Sequence, residues 1–262
     1  MTDTLVRNHS SHAALDLGGR RRKAMKIHHL IPLPSEGERV LRLLEVGTGS
    51  GAIAHYFSEL SSPRFDVRAI DVQDQRMIDE GYGFQVYDGR KFPFHDRSFD
   101  IVISNHVIEH VGDRKQQVNH LSEIRRVLAP GGYAYLATPS RWQFIEPHYS
   151  LPLLSWIPRS WRDNYVRIAG KGERYDCDLL RPAELRRMLD AGELPYRNLT
   201  VQALHSLVKL ERQHSVLAGL VAVLPEWLLR KLQSVSPTLI YLIHKPEIPA
   251  SDTDNRLHGY ES

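Results

Sequence analysis

The 262-residue chain is 42 % apolar and 25 % charged, ordinary for a soluble globular protein and long enough for one α/β domain with insertions. Its net charge of +3 carries no global polyanion-binding signature and argues against a nucleic-acid partner. A single cysteine, Cys177, excludes an internal disulfide and fits a reducing, cytoplasmic setting.

The opening MTDTLVRNHSSHAALDLGG lacks the apolar core of a signal peptide. Residues 1–38 read as a helical or loose segment. Arg20-Arg21-Arg22-Lys23 and Lys26 read as a solvated helical turn, with a phosphate or membrane contact as the alternative, and His28 and His29 as surface residues. Leu41–Val46 then predicts a buried strand, a glycine turn follows, and Ala52–Leu60 predicts a helix. Phe65–Ile70 is a second strand ended by Asp71, Gln73–Glu80 a short helix, and Phe84–Tyr87 a third strand. Phe99–Ser104 is apolar without alternation, as a strand covered on both faces should be. Val118, Leu121, Ile124 and Leu128 keep helical spacing until Pro130-Gly131-Gly132, after which Tyr133–Ala137 is a fifth strand. Pro182 opens another helix and Gly192 closes it. Asn198–Leu204 and Thr238–His244 predict two late strands, making seven. Strands alternating with helices imply a doubly wound, mainly parallel sheet with right-handed crossovers.

Two stretches break the alternation. Residues 140–180 hold Trp142, Trp156 and Trp161, three of the four tryptophans, and predict an aromatic cap over the carboxyl edge where open α/β sheets bind ligands. Residues 205–237 are apolar and helical in pattern around Pro225, and include Trp227. The longest apolar run, 216–224, is far short of the roughly 20 residues a spanning helix needs, so the protein is expected to be soluble or peripheral at a membrane.

The chemistry centres on Leu43-Leu44-Glu45-Val46-Gly47-Thr48-Gly49-Ser50-Gly51. Glycines let the backbone turn tightly and approach a ligand, and the helix behind them offers free N–H groups. Alone the turn is ambiguous, since it also satisfies a dinucleotide pattern. Its surroundings add three carboxylates. Glu45 ends a buried strand, where a charge is costly without a partner. Asp71 stands at the distance where an acidic residue meets ribose hydroxyls. Asp88 follows the third strand and is suited to an adenine amino group.

The series LLEVGTGSG, AIDV, VYDGRKFPFHDRSFDIVISNHVIEHV and EIRRVLAPGGYAYLATPS resembles the class I S-adenosylmethionine-dependent methyltransferases, nearest the branch acting on quinone precursors, lipids, glycans and other small molecules. The likeness covers roughly residues 40 to 140. It implies a Rossmann-like seven-stranded sheet with the last strand antiparallel, and S-adenosylmethionine as cofactor. Glu45, Gly47, Gly49 and Gly51 would hold its methionine part, Asp71 the ribose, Asp88 the adenine side, and Asn105 with His106 the methyl-bearing face. Thr48, Val72 and Gly89 complete the expected set. The chain then divides into 1–38, a cofactor half 39–139, the cap 140–180, sheet remainders 181–204 and 238–245, and the apolar insertion 205–237.

Methyl transfer is an in-line displacement, so alignment of nucleophile, methyl and sulfur is the main demand. A base is needed only for a protonated acceptor such as an alcohol. His106 and His148 are the candidate bases, and His110 reads as structural. No metal site is expected: no cysteine pair exists, and His106 with His110 is half a ligand set. Nothing in the sequence predicts an activated Cys177 thiol. The function expected is O-methylation of a small-molecule, lipid-linked or glycan acceptor. A cofactor-binding member without turnover and a nicotinamide-dependent oxidoreductase are the alternatives; the oligomeric state stays open.

Overall fold

The computed structural model describes residues 16–33, 39–146, 148–210, 224–233 and 236–247. A seven-stranded sheet runs in the order β3 (Gly83–Val86), β2 (Phe65–Asp71), β1 (Leu41–Val46), β4 (Phe99–Asn105), β5 (Leu128–Pro139), β9 (Thr238–His244), β8 (Tyr196–Asn198). The first five are parallel; β9 alone is reversed, antiparallel to β5 on one side and β8 on the other. β9 thus lies second from the edge.

Alternation along each strand sends side chains to two cores. Leu44, Val46, Val102, Leu136 and Tyr241 face one way, against α3 (Arg114–Val127) and α5 (Pro182–Ala191). Leu43, Ile101, Ile103, Tyr135 and Ile240 face the other, against α1 (Leu17–Leu30), α2 (Ala52–Ser58) and α6 (Thr200–Leu210). Each fully buried aliphatic side chain contributes about 1.5–3 kcal/mol. Asp113 starts α3 with a capping box, exchanging bonds of 2.8 and 3.0 Å with Gln116.

Two expected elements are absent for local reasons. Gln73–Glu80 is not helical. Asp74 takes the Arg76 amide and guanidinium, while the Met77 and Ile78 amides turn to the Ser50 carbonyl. Asn198–Leu204 is a strand only to Asn198, whose side chain accepts from the Thr200 amide at 2.9 Å; the β-branched Thr200 and Val201 then enter α6.

Between Ser140 and Leu180, which meet in an isolated parallel bridge, lies a small unit with its own core. It holds the hairpin β6 (Ile145–Glu146) and β7 (Leu151–Pro152) and the helix α4 (Arg159–Ile168). Tyr149, Leu154, Val166 and Leu179 are buried together there. Of the second insertion, α6 and α7 (Glu226–Leu232) flank a stretch, 211–223, outside the described residues. Among the described residues no helix is long and apolar enough to cross a membrane.

Candidate functional site

The carboxyl ends of β1, β2 and β4 converge on the glycine turn. Gly47, Gly49 and Gly51 all have positive φ, at 73°, 53° and 82°. A Cβ at Gly47 would collide with Val107, and one at Gly51 with the Ile78 carbonyl and the Tyr82 hydroxyl, so no side chain fits at either. Glu45 is buried beneath the turn, where its Oε2 accepts from the Thr48 hydroxyl at 2.6 Å and the Ala54 amide at 3.0 Å. Burial pushes its carboxyl up to about 8, with those two bonds opposing. Asp71 accepts from the Gly49 amide at 2.9 Å and the Val72 amide at 2.7 Å, tying β2 to the turn. Burial raises its carboxyl above the ordinary range too.

Val72 is exposed at the same edge, with Gly89 against its side chain. Asp88 closes its own turn by accepting from the Arg90 and Lys91 amides, which holds its carboxyl below the ordinary range. Two buried polar atoms here have no hydrogen-bond partner among the described residues: Asn105 Nδ2 at the tip of β4, and Ser50 Oγ in the turn.

Beyond Asn105 the chain bends sharply, and His106 sits at φ +59° with its Nδ1 3.5 Å from Oε1 of Glu109. Glu109 is fully buried; its Oε2 accepts from the Thr138 hydroxyl at 3.1 Å, while its Oε1, facing His106, has no hydrogen-bond partner among the described residues. Burial alone would raise its carboxyl, but His106, with His110 and His148, brings it down to about 2. For His106 burial wins and favours the neutral imidazole. A quarter of its side chain stays exposed.

The cap brings a second group to this edge. His148 points its Nδ1 at Glu146 Oε1, 2.7 Å away, and its Nε2 at His110 Nε2, 3.2 Å away. Cys177 Sγ lies 3.8 Å from His110 Nδ1. Its thiol is raised, chiefly by burial, and is no activated nucleophile. Sequence spacing pairs His106 with His110; the fold instead joins His110 to two residues distant in the chain, and no local pattern signals that.

Helix α1 was also underestimated. Only Arg21 and Arg22 of the basic run are exposed; Ala24 and Ile27 are fully buried. Arg20 acts electrostatically on both Glu45 and Asp71. Lys23 is lowered to about 8, mainly by burial, with Glu109 opposing. His28 is half-buried and bonds the Tyr56 hydroxyl at 2.9 Å, so of these two only His29 lies on the surface. Buried Ala24 and Ile27 at helical spacing were the available signal.

A methyltransferase-domain family profile matches residues 44–136. The ubiquinone/menaquinone biosynthesis C-methyltransferase of Bordetella avium is 28 % identical over 189 residues, covering 65 % of this chain and 72 % of that protein. The ubiquinone biosynthesis O-methyltransferase of Rickettsia conorii is 27 % identical over 195 residues, 66 % of this chain and 60 % of that one. Among solved structures, a Haemonchus contortus phosphoethanolamine N-methyltransferase complex shares the fold, with TM-score 0.54 at 18 % identity over 92 % of this chain and 59 % of that chain. Likeness of sequence through the glycine turn and likeness of fold across the sheet agree: residues 44–136 match a methyltransferase domain, and the chain is similar to the class I S-adenosylmethionine-dependent methyltransferases.

Proposed function

We propose that this methyltransferase acts on a hydroxyl oxygen of a small or lipid-linked acceptor, with His106 taking the proton. The observation supporting this is the His106–Glu109 pair at the end of β4. A hydroxyl is a poor nucleophile until it loses its proton, so such an acceptor needs a base within reach. Burial keeps the His106 imidazole neutral and ready to accept. The buried Glu109 carboxylate stabilises the imidazolium that proton uptake produces. His148, bonded at both ring nitrogens, is assigned to holding the cap in position.

S-adenosylmethionine, when bound, supplies a sulfonium methyl that needs no further activation. The residues fit it: the unpartnered Asn105 Nδ2 and Ser50 Oγ, the glycine positions of the turn where no Cβ fits, and the Asp71 carboxyl suit a polar, cationic ligand. On this reading Glu45 with Gly47, Thr48, Gly49 and Gly51 holds the methionine end. Asp71 and Val72 take the ribose, Asp88 and Gly89 the adenine, and Asn105 the methyl-bearing face.

An apolar acceptor is supported by the cap, which leaves Phe144, Trp156, Trp161 and Ile168 exposed, and by two relatives named for ubiquinone biosynthesis. His106→Gln should lower kcat on a hydroxyl acceptor by roughly 10²-fold or more, with S-adenosylmethionine affinity unchanged. In the wild-type enzyme kcat should fall with falling pH, at a midpoint below the ordinary histidine value, because protonated His106 accepts nothing. A variant with wild-type kcat and the same acid limb removes His106 from proton transfer.

A further inference from the structure

We propose that His110, His148 and Cys177 form a binding site for one zinc-class divalent metal ion that fastens the cap to the end of β4. Their ligand atoms all lie within 4.8 Å of one another. They come from three separate segments: the loop after β4, the cap hairpin, and the stretch leading to α5. The site stands apart from the acceptor reading above and needs neither His106 nor the cofactor.

The chemistry of the set selects the metal. Imidazole and thiolate ligands suit zinc and its neighbours, whereas magnesium and calcium take oxygen. Tetrahedral zinc, with bonds of about 2.0–2.1 Å to nitrogen and 2.3 Å to sulfur, sets its ligand atoms roughly 3.3–3.6 Å apart. The two Nε2 atoms, at 3.2 Å, already stand near that separation. The sulfur, now 3.8 Å from the other nitrogen of the His110 ring, completes the set only when the Cys177 and His110 side chains rotate to bring it round to the Nε2 side, within 4.8 Å of which all the ligand atoms lie. Three protein ligands leave a fourth position for water.

The surroundings are built for the same task. His148 donates Nδ1–H to the fully buried Glu146, which fixes its tautomer and leaves Nε2 with its lone pair toward His110. Glu146 is itself held, accepting from the Tyr149 amide at 2.8 Å. The Cys177 segment is docked independently: the Asp178 amide donates to the Glu109 carbonyl at 2.8 Å, and Gln117 Nε2 donates to the carbonyls of Ile108 and Asp178. Sulfur and imidazole are therefore brought together by backbone contacts that do not depend on the ion. On metal binding two bonds to hydrogen break: the Nε2–H that His110 donates to His148, whose loss leaves His110 as the Nδ1–H tautomer by exchange with solvent, and the Cys177 S–H, whose proton leaves to solvent; metal–nitrogen and metal–sulfur bonds take their places.

The full-length protein, stripped with chelator, is titrated with cobalt(II) as a spectroscopic probe and then with zinc. One cobalt per chain should bind, with a thiolate charge-transfer band in the near ultraviolet and the intense visible bands of tetrahedral cobalt. Cys177→Ser should abolish the charge-transfer band and weaken zinc at least tenfold. Glu146→Gln should keep the band and weaken zinc 10–100-fold, as loss of an outer-shell partner does. Should Cys177→Ser fail to fold, His110→Asn gives the same zinc readout. A wild-type protein without the band, or a band surviving in Cys177→Ser, overturns the site and leaves a metal-free chain of hydrogen bonds from thiol to carboxylate. S-adenosylmethionine binding, measured by calorimetry on the same samples, separates that failure from a failure of the cofactor site.

Discussion

Asp71 joins two strand ends through its bonds to the Gly49 and Val72 amides. That placement puts a carboxylate where it can accept from a diol, and charged hydrogen bonds contribute about 1.5–3 kcal/mol each. Asp71→Ala should weaken S-adenosylmethionine binding by roughly 2–4 kcal/mol while the protein stays folded. An unchanged dissociation constant by calorimetry would take Asp71 out of the site. His120 acts on stability instead. It is buried, 2.9 Å from the Ser104 hydroxyl, and burial lowers its imidazole to about 4. The unfolded chain protonates it near pH 6.5. Above that pH it is neutral in both states and costs nothing. Between pH 6.5 and 4 only the unfolded chain takes the proton, so stability should fall by something on the order of 3 kcal/mol. Chemical denaturation at several pH values should show that loss in the wild type and a flatter profile in His120→Asn. Equal slopes would mean His120 is solvated.

At the scale of elements, β1, β4 and β9 were legible because long apolar runs bounded by glycine, asparagine or proline admit few alternatives. Gln73–Glu80 and Asn198–Leu204 misled because a side chain's competition for backbone amides, by Asp74 and Asn198, outweighs periodicity. The glycine turn and its carboxylates were legible because they are contiguous with their strands. Glu109, Cys177 and Glu146 were not, because only tertiary packing brings them to the β4 edge. Helix α4 carries the testable surface: Trp161 and Ile168 are 70 % and 85 % exposed, an apolar face with no described partner. Such a face on a basic amphipathic helix suits the interface of a membrane. The protein should pellet with anionic phospholipid vesicles, and Trp161→Glu with Ile168→Glu should leave most of it in the supernatant. A wild-type protein that stays in solution would make α4 an ordinary exposed helix.

Taken whole, the molecule divides its labour across the carboxyl edge of one sheet. β1 and β2 end in the groups assigned to the cofactor, β4 ends in the proposed base, and the 140–180 unit meets the same edge through the His148–His110 contact and carries exposed apolar side chains. The opposite edge differs: there a cleft of about 420 Å³ is lined by Asp96, Arg97, Glu123, Arg126 and Lys245, with Arg126 bonded to Glu123 and Asp96 and Lys245 to two carbonyls. Ligand crevices in such sheets lie at the carboxyl ends, not at this one. The relatives divide between carbon and oxygen as the methylated atom, as their names state. The O-methylation proposed above takes the oxygen branch. The deciding measurement is the carbon-13 spectrum of the product formed from S-adenosylmethionine labelled at its methyl and a polyprenylated dihydroxybenzene. A methyl resonance in the methoxy region is the result predicted, and an aryl-bound methyl on ring carbon would contradict it.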